Sequence, residues 1–205
     1  VETIDTIVNG TKNVLDLARK KNVSGVVFLS SMEVFGTTTE RRPLSESDLG
    51  YIDLSSPRSS YPEGKRFAEN MCCSYASEYS VPVTAARLVQ TFGPGVKYDD
   101  GRVFAYAARC ALSGEDIRLN TDGSKENMYL YTADAVGAIL FLLVNGERGG
   151  VYNVGNEESY CSVKEMAQTV AEVLGKGAVS VLTNCGAQDN SGKKNIYLSL
   201  IHISE

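Results

Sequence analysis

The sequence predicts an α/β fold in which helices cover a parallel β-sheet, and three observations support this prediction. Short apolar, β-branched runs recur along the chain, stretches with helical periodicity alternate with them, and polar turns rich in glycine, serine or aspartate separate the two. Strands that are apolar throughout are typical of a sheet buried on both faces, as parallel sheets are.

The first half of the chain is predicted to hold two helices and two strands. In order, these elements are a helix at 1–23, a strand at 25–31, a helix at 62–79 and a strand at 81–89. Pro62 stands at the first position of the second helix, where its missing N–H costs no hydrogen bond. The polar segment 37–60 is long for a connector, and we therefore expect a functional loop there.

The second half continues the alternation. In order, the predicted elements are a helix at 103–113, a strand at 116–120, a helix at 133–146, a strand at 151–155, a helix after Ser162 and a strand within 179–183. Ser162 followed by Glu165 predicts a capping box at the start of the last helix. The apolar run 135–144 is too short to cross a bilayer and is predicted to be a buried core helix.

Composition and charge exclude several classes of function. The 205 residues carry a net charge of −5 with dispersed basic residues, so neither nucleic acid nor a membrane is an expected partner. No secretory signal is recognisable at the start, and the five cysteines lack the CxxC spacing of zinc sites. We therefore expect a cytoplasmic protein without a disulfide framework or a bound metal.

Both ends of the chain are expected to be cut. The chain begins at Val1 directly in a helical pattern, and residues 198–205 (LSLIHISE) back-translate to a sequence that resembles a transposon-end adapter of DNA sequencing libraries. We expect this tail to be non-native. It contains His202, the only histidine, so His-based catalytic triads and His-ligated metal sites drop out together.

The candidate site lies where strands 25–31 and 81–89 end, because ligands bind outside the carboxyl ends of parallel strands. Tyr61 and Lys65 stand four residues apart and share one helical face. A free phenol has a pKa of about 10, and a nearby cation lowers it by favouring the phenolate. Ser31, at the end of the first strand, is placed to donate a hydrogen bond to a substrate alcohol.

These motifs resemble the short-chain dehydrogenase/reductase superfamily, and in particular its extended branch of NAD-dependent nucleotide-sugar epimerases, dehydratases and decarboxylases. The stretches that carry the resemblance are VNGTKNVLDLA (8–18), FLSSMEVFG (28–36), PRSSYPEGKRFAE (57–69), RLVQTFGPG (87–95), DDGRVFAYAARCALSGE (99–115) and the Ser-capped segment 150–175. Residues 57–69 and 99–115 are most similar to the UDP-glucuronate decarboxylases. The resemblance implies a partial Rossmann-like, doubly wound parallel sheet with part of a small C-terminal substrate-binding subdomain.

The resemblance also implies the roles of individual residues. Tyr61 takes the proton of the sugar 4-hydroxyl while NAD accepts the hydride, Lys65 holds the phenolate and the nicotinamide ribose, and Ser31 binds the reacting oxygen. The expected catalytic residues are Tyr61, Lys65, Ser31 and Glu33; the expected cofactor-binding residues are Tyr61, Lys65, Ser30 and Asn9; the expected substrate-binding residues are Gln90, Arg102, Arg118 and Lys125. NAD is the expected cofactor, and the sequence leaves NADP open.

Two of these roles also rest on local geometry. Glu33 lies two residues past Ser31 on a strand end taken as extended, so it is predicted to face the same side and to act as a second acid or base. Asn9 is a polar residue in a helix taken as buried, and it is expected to bond the backbone of a neighbouring strand.

Departures from the family pattern leave the reaction open. Met32 stands where the 4,6-dehydratases carry an aspartic acid, which disfavours dehydration, and Asn127 stands where an arginine binds the nucleotide phosphates. Arg102, Arg118 or Lys125 are candidates for supplying that charge. Two alternatives remain: an NADPH-dependent reductase of a non-nucleotide carbonyl, and a non-catalytic dinucleotide sensor, although a sensor needs no phenolate.

The resemblance divides the chain into parts of one truncated domain at 1–197. The expected parts are a Rossmann portion mainly at 1–95 and 125–155, substrate-subdomain elements mainly at 96–124 and 156–197, and the adapter-derived tail at 198–205. No stretch matches the glycine-rich phosphate turn, so the chain is expected to start about three βα units late and to bind NAD weakly by itself. The full-length parent is expected to be a homodimer through helices 2–21 and 62–79.

Overall fold

The computed structural model describes residues 1–38 and 42–184. Its helices are α1 Glu2–Lys21, α2 Ser60–Tyr79, α3 Val103–Ser113, α4 Thr132–Asn145 and α5 Val163–Leu174. Its strands are β1 Val26–Ser31, β2 Val83–Leu88, β3 Gln90–Phe92, β4 Ile117–Leu119, β5 Glu126–Asn127, β6 Tyr129–Tyr131, β7 Val151–Val154, β8 Cys161–Ser162 and β9 Val181–Thr183. The expectations for 198–205, His202 and the last part of 156–197 lie outside the described residues.

The central sheet consists of three parallel strands in the order β1, β2, β7. Val26 pairs with Val83, and Ala85 pairs with Val151, so all three carboxyl ends lie on one edge. Alternate side chains of a strand face opposite sides of the sheet. Val26 packs with α1 and α2 on one side, and Val27 packs with α4 on the other. The predicted α/β fold with a parallel sheet is confirmed.

Helices α1 and α2 pack together through small and aliphatic side chains. Leu15 of α1 is 1% exposed and lies in one cluster with Cys72 and Ala76 of α2. Full burial of a side chain of leucine size contributes about 1.5–3 kcal/mol. Cys72 is buried, which raises the pKa of its thiol to about 12, whereas the adjacent Cys73 is exposed. The two cysteines therefore lie on opposite faces of α2.

A second cluster lies around the short parallel pair β4–β9, which α3 and α5 cover. Ala107 of α3, Ile117 of β4 and Ala167 of α5 are fully buried there. The strand predicted within 179–183 is present as β9. The capping box of α5 is also confirmed, because the Ser162 hydroxyl accepts a hydrogen bond from the backbone N–H of Glu165 while the Glu165 carboxylate accepts one from the backbone N–H of Ser162.

The loop between β1 and α2 packs across the sheet. Arg87 of β2 donates to the carbonyl of Glu46 at 2.7 Å, and the backbone N–H of Asn153 in β7 donates to the Glu46 carboxylate at 2.9 Å. Arg66 of α2 donates to the carbonyl of Gly50 at 2.7 Å. These hydrogen bonds attach the loop between β1 and α2 to strands β2 and β7 and to helix α2.

Helix α2 begins two residues earlier than predicted. It starts at Ser60, so Pro62 is its third residue and not its first. The first four N–H groups of a helix have no partner inside the helix, and proline is therefore tolerated throughout this turn. As a consequence Tyr61 lies inside the first turn of α2.

Helix α4 is only half buried, so the prediction of a wholly buried core helix at 135–144 is wrong. Ala135, Ala138 and Leu142 face the sheet, whereas Leu140 and Val144 are 57% and 80% exposed. The helix covers the sheet with one face, and among residues 1–38 and 42–184 nothing packs on the other. No helix in these two ranges is long and apolar enough to cross a membrane.

Candidate active site

A cavity of about 390 Å³ opens at the carboxyl ends of β1 and β2. Its lining consists of Leu29, Ser30, Ser31, Met32, Glu33, Tyr61, Lys65, Leu88, Val89, Gln90, Thr91 and Arg102. The fold thus brings together seven of the predicted site residues, from segments that lie far apart in sequence. This is the position that a parallel sheet favours for a ligand.

Tyr61 and Lys65 occupy one face of α2. The Lys65 ammonium lies 5.7 Å from the centre of the Tyr61 ring and donates to the carbonyl of Leu29 at 2.8 Å. Burial lowers the pKa of Lys65, and the negative charge of Glu69 one turn later opposes this shift. An ammonium has three N–H groups, so the bond to Leu29 leaves two for a ligand.

Ser31 ends β1 and begins the next turn. Its hydroxyl oxygen accepts the backbone N–H of Glu33 at 3.2 Å, which caps the 3₁₀ turn Met32–Phe35. A hydroxyl that accepts one hydrogen bond still carries its own proton. Ser31 therefore remains able to donate to an oxygen atom in the cavity.

Glu33 lines the cavity, but the geometric reason predicted for this is wrong. The chain turns into a 3₁₀ helix after Ser31, so Glu33 does not continue an extended strand. The Glu33 carboxylate instead faces Arg58 from the turn Pro57–Ser59, with Nη2 at 3.2 Å from Oε1 and 3.4 Å from Oε2. We call Glu33 and Arg58 the rim pair.

A second carboxylate–arginine pair lies beneath the cavity. Glu69 of α2 and Arg87 of β2 are both buried, with Nη2 of Arg87 at 2.7 Å from Oε2 of Glu69. Ser30 is also buried and donates to Oε1 of Glu69 at 2.5 Å. The hydroxyl of Ser30, which was expected to bind the cofactor, thus donates to a buried carboxylate. We call Glu69 and Arg87 the floor pair.

Asn9 does not reach the site. Its amide lies on the exposed surface of α1 and donates to the carboxylate of Asp5, one turn earlier in the same helix. The expected bond to a neighbouring strand is therefore wrong for the described residues, because α1 turns this face away from the sheet. Asn9 is also absent from the cavity lining.

Two of the four expected substrate residues line the cavity. Gln90 lies in β3, and Arg102 lies before α3. Arg102 donates to both carboxylate oxygens of Asp100 and to the carbonyl of Thr91, and these hydrogen bonds lower the pKa of Asp100 to about 2. The charge of Arg102 is thus largely compensated within the protein.

Arg118 and Lys125, the other two expected substrate residues, do not line this cavity. Arg118 is the exposed middle residue of β4, and its backbone N–H donates to the hydroxyl of Tyr106. Lys125 precedes β5, and its carbonyl accepts from Val163 at the start of α5. The positions of Arg118 and Lys125 in the sequence do not indicate how far from the cavity the fold places them.

Sequence reasoning missed three charged residues near the site: Glu69 and Arg87 beneath it, and Arg58 next to Glu33. The available signal for Arg58 was its position three residues before Tyr61, but a cation at that spacing is common on any loop. Only the 3₁₀ turn Pro57–Ser59 brings it to Glu33.

Among residues 1–38 and 42–184, no group of histidine, cysteine or acidic side chains is arranged to hold a metal ion.

A tyrosine, a lysine and a serine at the carboxyl ends of a parallel sheet define the class of short-chain dehydrogenase/reductase proteins. The chain belongs to one family of this class: the model of the NAD dependent epimerase/dehydratase family matches residues 1–155. This finding confirms the resemblance that the sequence motifs indicated.

Curated relatives point to one branch of the family. The chain is 32% identical over 195 residues to UDP-glucuronic acid decarboxylase 1 of Xenopus tropicalis, covering 95% of this chain and 45% of that protein. It is 34% identical over 174 residues to UDP-glucuronic acid decarboxylase 6 of Arabidopsis thaliana, covering 85% of this chain and 50% of that protein. The chain therefore spans about half the length of the curated relatives it matches.

Solved structures share the fold. The dTDP-glucose 4,6-dehydratase of Bacillus anthracis, determined in complex with NAD, superposes with a TM-score of 0.77 at 25% identity, over 96% of this chain and 60% of that one. The UDP-glucose 4-epimerase of Thermotoga maritima, determined with UDP-glucose, gives a TM-score of 0.82 at 23% identity, over 97% of this chain and 62% of that one. The latter likeness concerns the fold alone.

Proposed function

We propose that this chain forms the catalytic part of an NAD-dependent enzyme that modifies a nucleotide-linked sugar through transient oxidation at sugar C4. The observation that carries this proposal is the convergence of Tyr61, Lys65 and Ser31 in one cavity. The three residues supply a proton acceptor, a cation and a hydroxyl donor, as removal of hydrogen from a secondary alcohol requires.

The proposed roles follow from the side-chain chemistry. Tyr61 accepts the proton of the sugar hydroxyl, and the ammonium of Lys65 on the same helical face stabilises the resulting negative charge. Ser31 donates a hydrogen bond to the reacting oxygen, which fixes the hydroxyl relative to Tyr61. General acid–base catalysis of this kind contributes about 10²–10⁴-fold to the rate.

The polar groups of the cavity fit the nicotinamide end of NAD. Lys65 retains two N–H groups for ribose hydroxyls, and the hydroxyls of Ser30, Ser31 and Thr91 contribute to the cavity lining. When bound, NAD supplies the acceptor for the hydride of the sugar carbon. The same chemistry makes the carbon next to the oxidised centre labile, so Glu33 is proposed as the second acid or base.

Decarboxylation of a nucleotide-linked uronic acid is the reaction that the relatives favour, since those described above are named UDP-glucuronic acid decarboxylases. Epimerisation is the next candidate. The reductase and the dinucleotide sensor are not favoured, because no relative described here carries such a name. The homodimer through α1 and α2, and a cytoplasmic location, remain predictions for the parent protein.

The decisive experiment is a turnover assay on the full-length protein that contains this chain. With NAD, we expect UDP-glucuronate to release CO₂, whereas Tyr61→Phe lowers the turnover number by about 10²-fold or more without loss of substrate binding. Tyr51→Phe is the matched control, since Tyr51 is exposed and lies outside the cavity. Unchanged turnover in Tyr61→Phe, or no conversion of any uridine or thymidine diphosphate sugar, would overturn the proposal.

A further inference from the structure

We propose that Arg58 determines substrate specificity by binding the carboxylate of an acidic sugar at the rim of the cavity and bridging it to Glu33. The ligand class is a nucleoside diphosphate sugar with a carboxylate on its sugar ring. This inference rests on the proposed function, because it concerns the same cavity and takes the nucleotide-linked sugar as the ligand.

The position of Arg58 is the first argument. It lies in the turn Pro57–Ser59, directly before α2 and three residues before Tyr61. Its Nη2 contacts both carboxylate oxygens of Glu33, and Glu33 lines the cavity. The guanidinium is therefore separated from the cavity only by the Glu33 carboxylate.

The hydrogen-bonding capacity of Arg58 is the second argument. A guanidinium carries five N–H donors, and only Nη2 of Arg58 has a partner among residues 1–38 and 42–184. The distances of 3.2 and 3.4 Å exceed the 2.7–2.9 Å of a strong charge-assisted bond. The side chain is 56% exposed, so an entering ligand can reach its remaining donors.

The two cations that line the cavity, Lys65 and Arg102, are already engaged. Lys65 donates to the carbonyl of Leu29 and lies beside the phenol of Tyr61. Arg102 binds Asp100 through two nitrogens and Thr91 through a third. Arg58 does not line the cavity itself, but it contacts the lining residue Glu33, and within the described part of the chain most of its donors are uncommitted.

The negative charge of Glu33 gives Arg58 a role in binding an acidic ligand. A second carboxylate brought beside Glu33 is repelled unless a positive charge lies between the two. Arg58 already holds Glu33 on one nitrogen and can bind the incoming carboxylate with the others. A neutral sugar creates no such repulsion, so its binding does not depend on Arg58.

The test compares two ligands on the full-length protein that contains this chain. Calorimetry measures the Kd of UDP-glucuronate and of UDP-glucose for the unchanged protein, Arg58→Met and Arg58→Lys. We expect Arg58→Met to raise the Kd of UDP-glucuronate by about 10- to 100-fold, the loss typical of a hydrogen-bonded charge, and to leave UDP-glucose unchanged. Arg58→Lys is expected to recover part of the loss.

Arg148→Met is the matched control, because Arg148 is exposed and lies outside the cavity. An equal loss of both ligands in Arg58→Met would show a merely structural role, and an unchanged Kd for UDP-glucuronate would show no role; either result overturns the inference. An unchanged protein that binds neither ligand would overturn the proposed function itself and this inference with it. Binding without turnover would overturn the proposed function alone.

Discussion

The floor pair and the rim pair contain the same two residue types but differ in burial and geometry. The side chains of Arg87 and Glu69 are 4% and 8% exposed, and they form close bonds that also include Ser30. The side chains of Arg58 and Glu33 are 56% and 22% exposed, and a single nitrogen spans the gap. The first pair, with Ser30, links a helix and two strands, whereas the second makes longer contacts between a turn and a partly exposed loop.

This difference follows from the cost of removing charges from water. A buried pair is stable only when nearly all its hydrogen bonds are made, so its geometry is fixed. An exposed pair gains little from its mutual attraction, typically about 0–1 kcal/mol, and loses little when it opens. The buried floor pair is therefore suited to stability, and the inference above assigns recognition of an acidic ligand to the rim pair.

The largest effect is expected from breaking the floor pair. Glu69→Ala leaves Arg87 charged, buried and unpaired, and should lower the free energy of unfolding by about 3–5 kcal/mol, measured by urea denaturation. Glu78→Ala is the control on the same helix, because Glu78 is exposed and should change stability by less than about 0.5 kcal/mol. A loss below about 1 kcal/mol in Glu69→Ala would show that the pair tolerates water.

The double variant Glu69→Met with Arg87→Met sharpens this result. Two apolar side chains leave no buried charge behind, so most of the stability should return. If the double variant is as unstable as Glu69→Ala, the cost lies in packing and not in the unpaired charge.

The next largest effect is expected from Ser30→Ala. This change removes a donor from the buried carboxylate of Glu69 and should cost about 1.5–3 kcal/mol in urea denaturation. Ser31→Ala is the neighbouring control: it removes a longer bond at a partly exposed turn and should cost only about 0.5–1.5 kcal/mol. Equal costs at the two positions would contradict the distinction between floor and rim.

A smaller effect is expected when the rim pair is broken. Arg58→Ala should lower the free energy of unfolding by less than about 1 kcal/mol, and added salt should reduce the difference because it screens exposed charges. The cost of Arg87→Met should persist in salt, since that pair is buried. A large, salt-independent cost in Arg58→Ala would show that both pairs serve stability.

The subtlest effect concerns the protonation of Lys65. Glu69→Gln removes the negative charge that opposes the effect of burial, so the pKa of Lys65 should fall further below 10.5. Lys65 has a lower pKa in the folded protein than in the unfolded chain, so the unfolded chain binds its proton more tightly. The free energy of unfolding should therefore rise with pH between these two pKa values, and this pH range should be wider in the variant. NMR titration of the lysine side-chain signals, assigned with Lys65→Arg, measures this; an unchanged or higher pKa would contradict it.

Local patterns in the sequence predicted much of the fold. The parallel strands, the capping box of Ser162 and Glu165, and the strand at 181–183 follow from periodicity and nearest neighbours, which act over a few residues. The common position of Tyr61 and Lys65 on one helical face also followed from local spacing, whereas their placement beside Ser31 was expected from the family resemblance.

The remainder depends on contacts between distant segments. The Ser30–Glu69–Arg87 cluster joins three elements, and no spacing indicates that these side chains meet. The turn after Ser31 and the exposed face of α4 likewise depend on what packs nearby, so the extended geometry of Glu33 and the full burial of α4 were predicted wrongly.

The two adjacent thiols of α2, one buried and one exposed, allow the separation of α1 from α2 to be measured by cysteine labelling. Cys73 reacts with an alkylating reagent at a rate set by its own chemistry, whereas Cys72 reacts only when the helix pair opens and water reaches the buried thiol. The ratio of their labelling rates, resolved by tandem mass spectrometry, gives the opening equilibrium directly. One peptide thus contains both the probe and its reference.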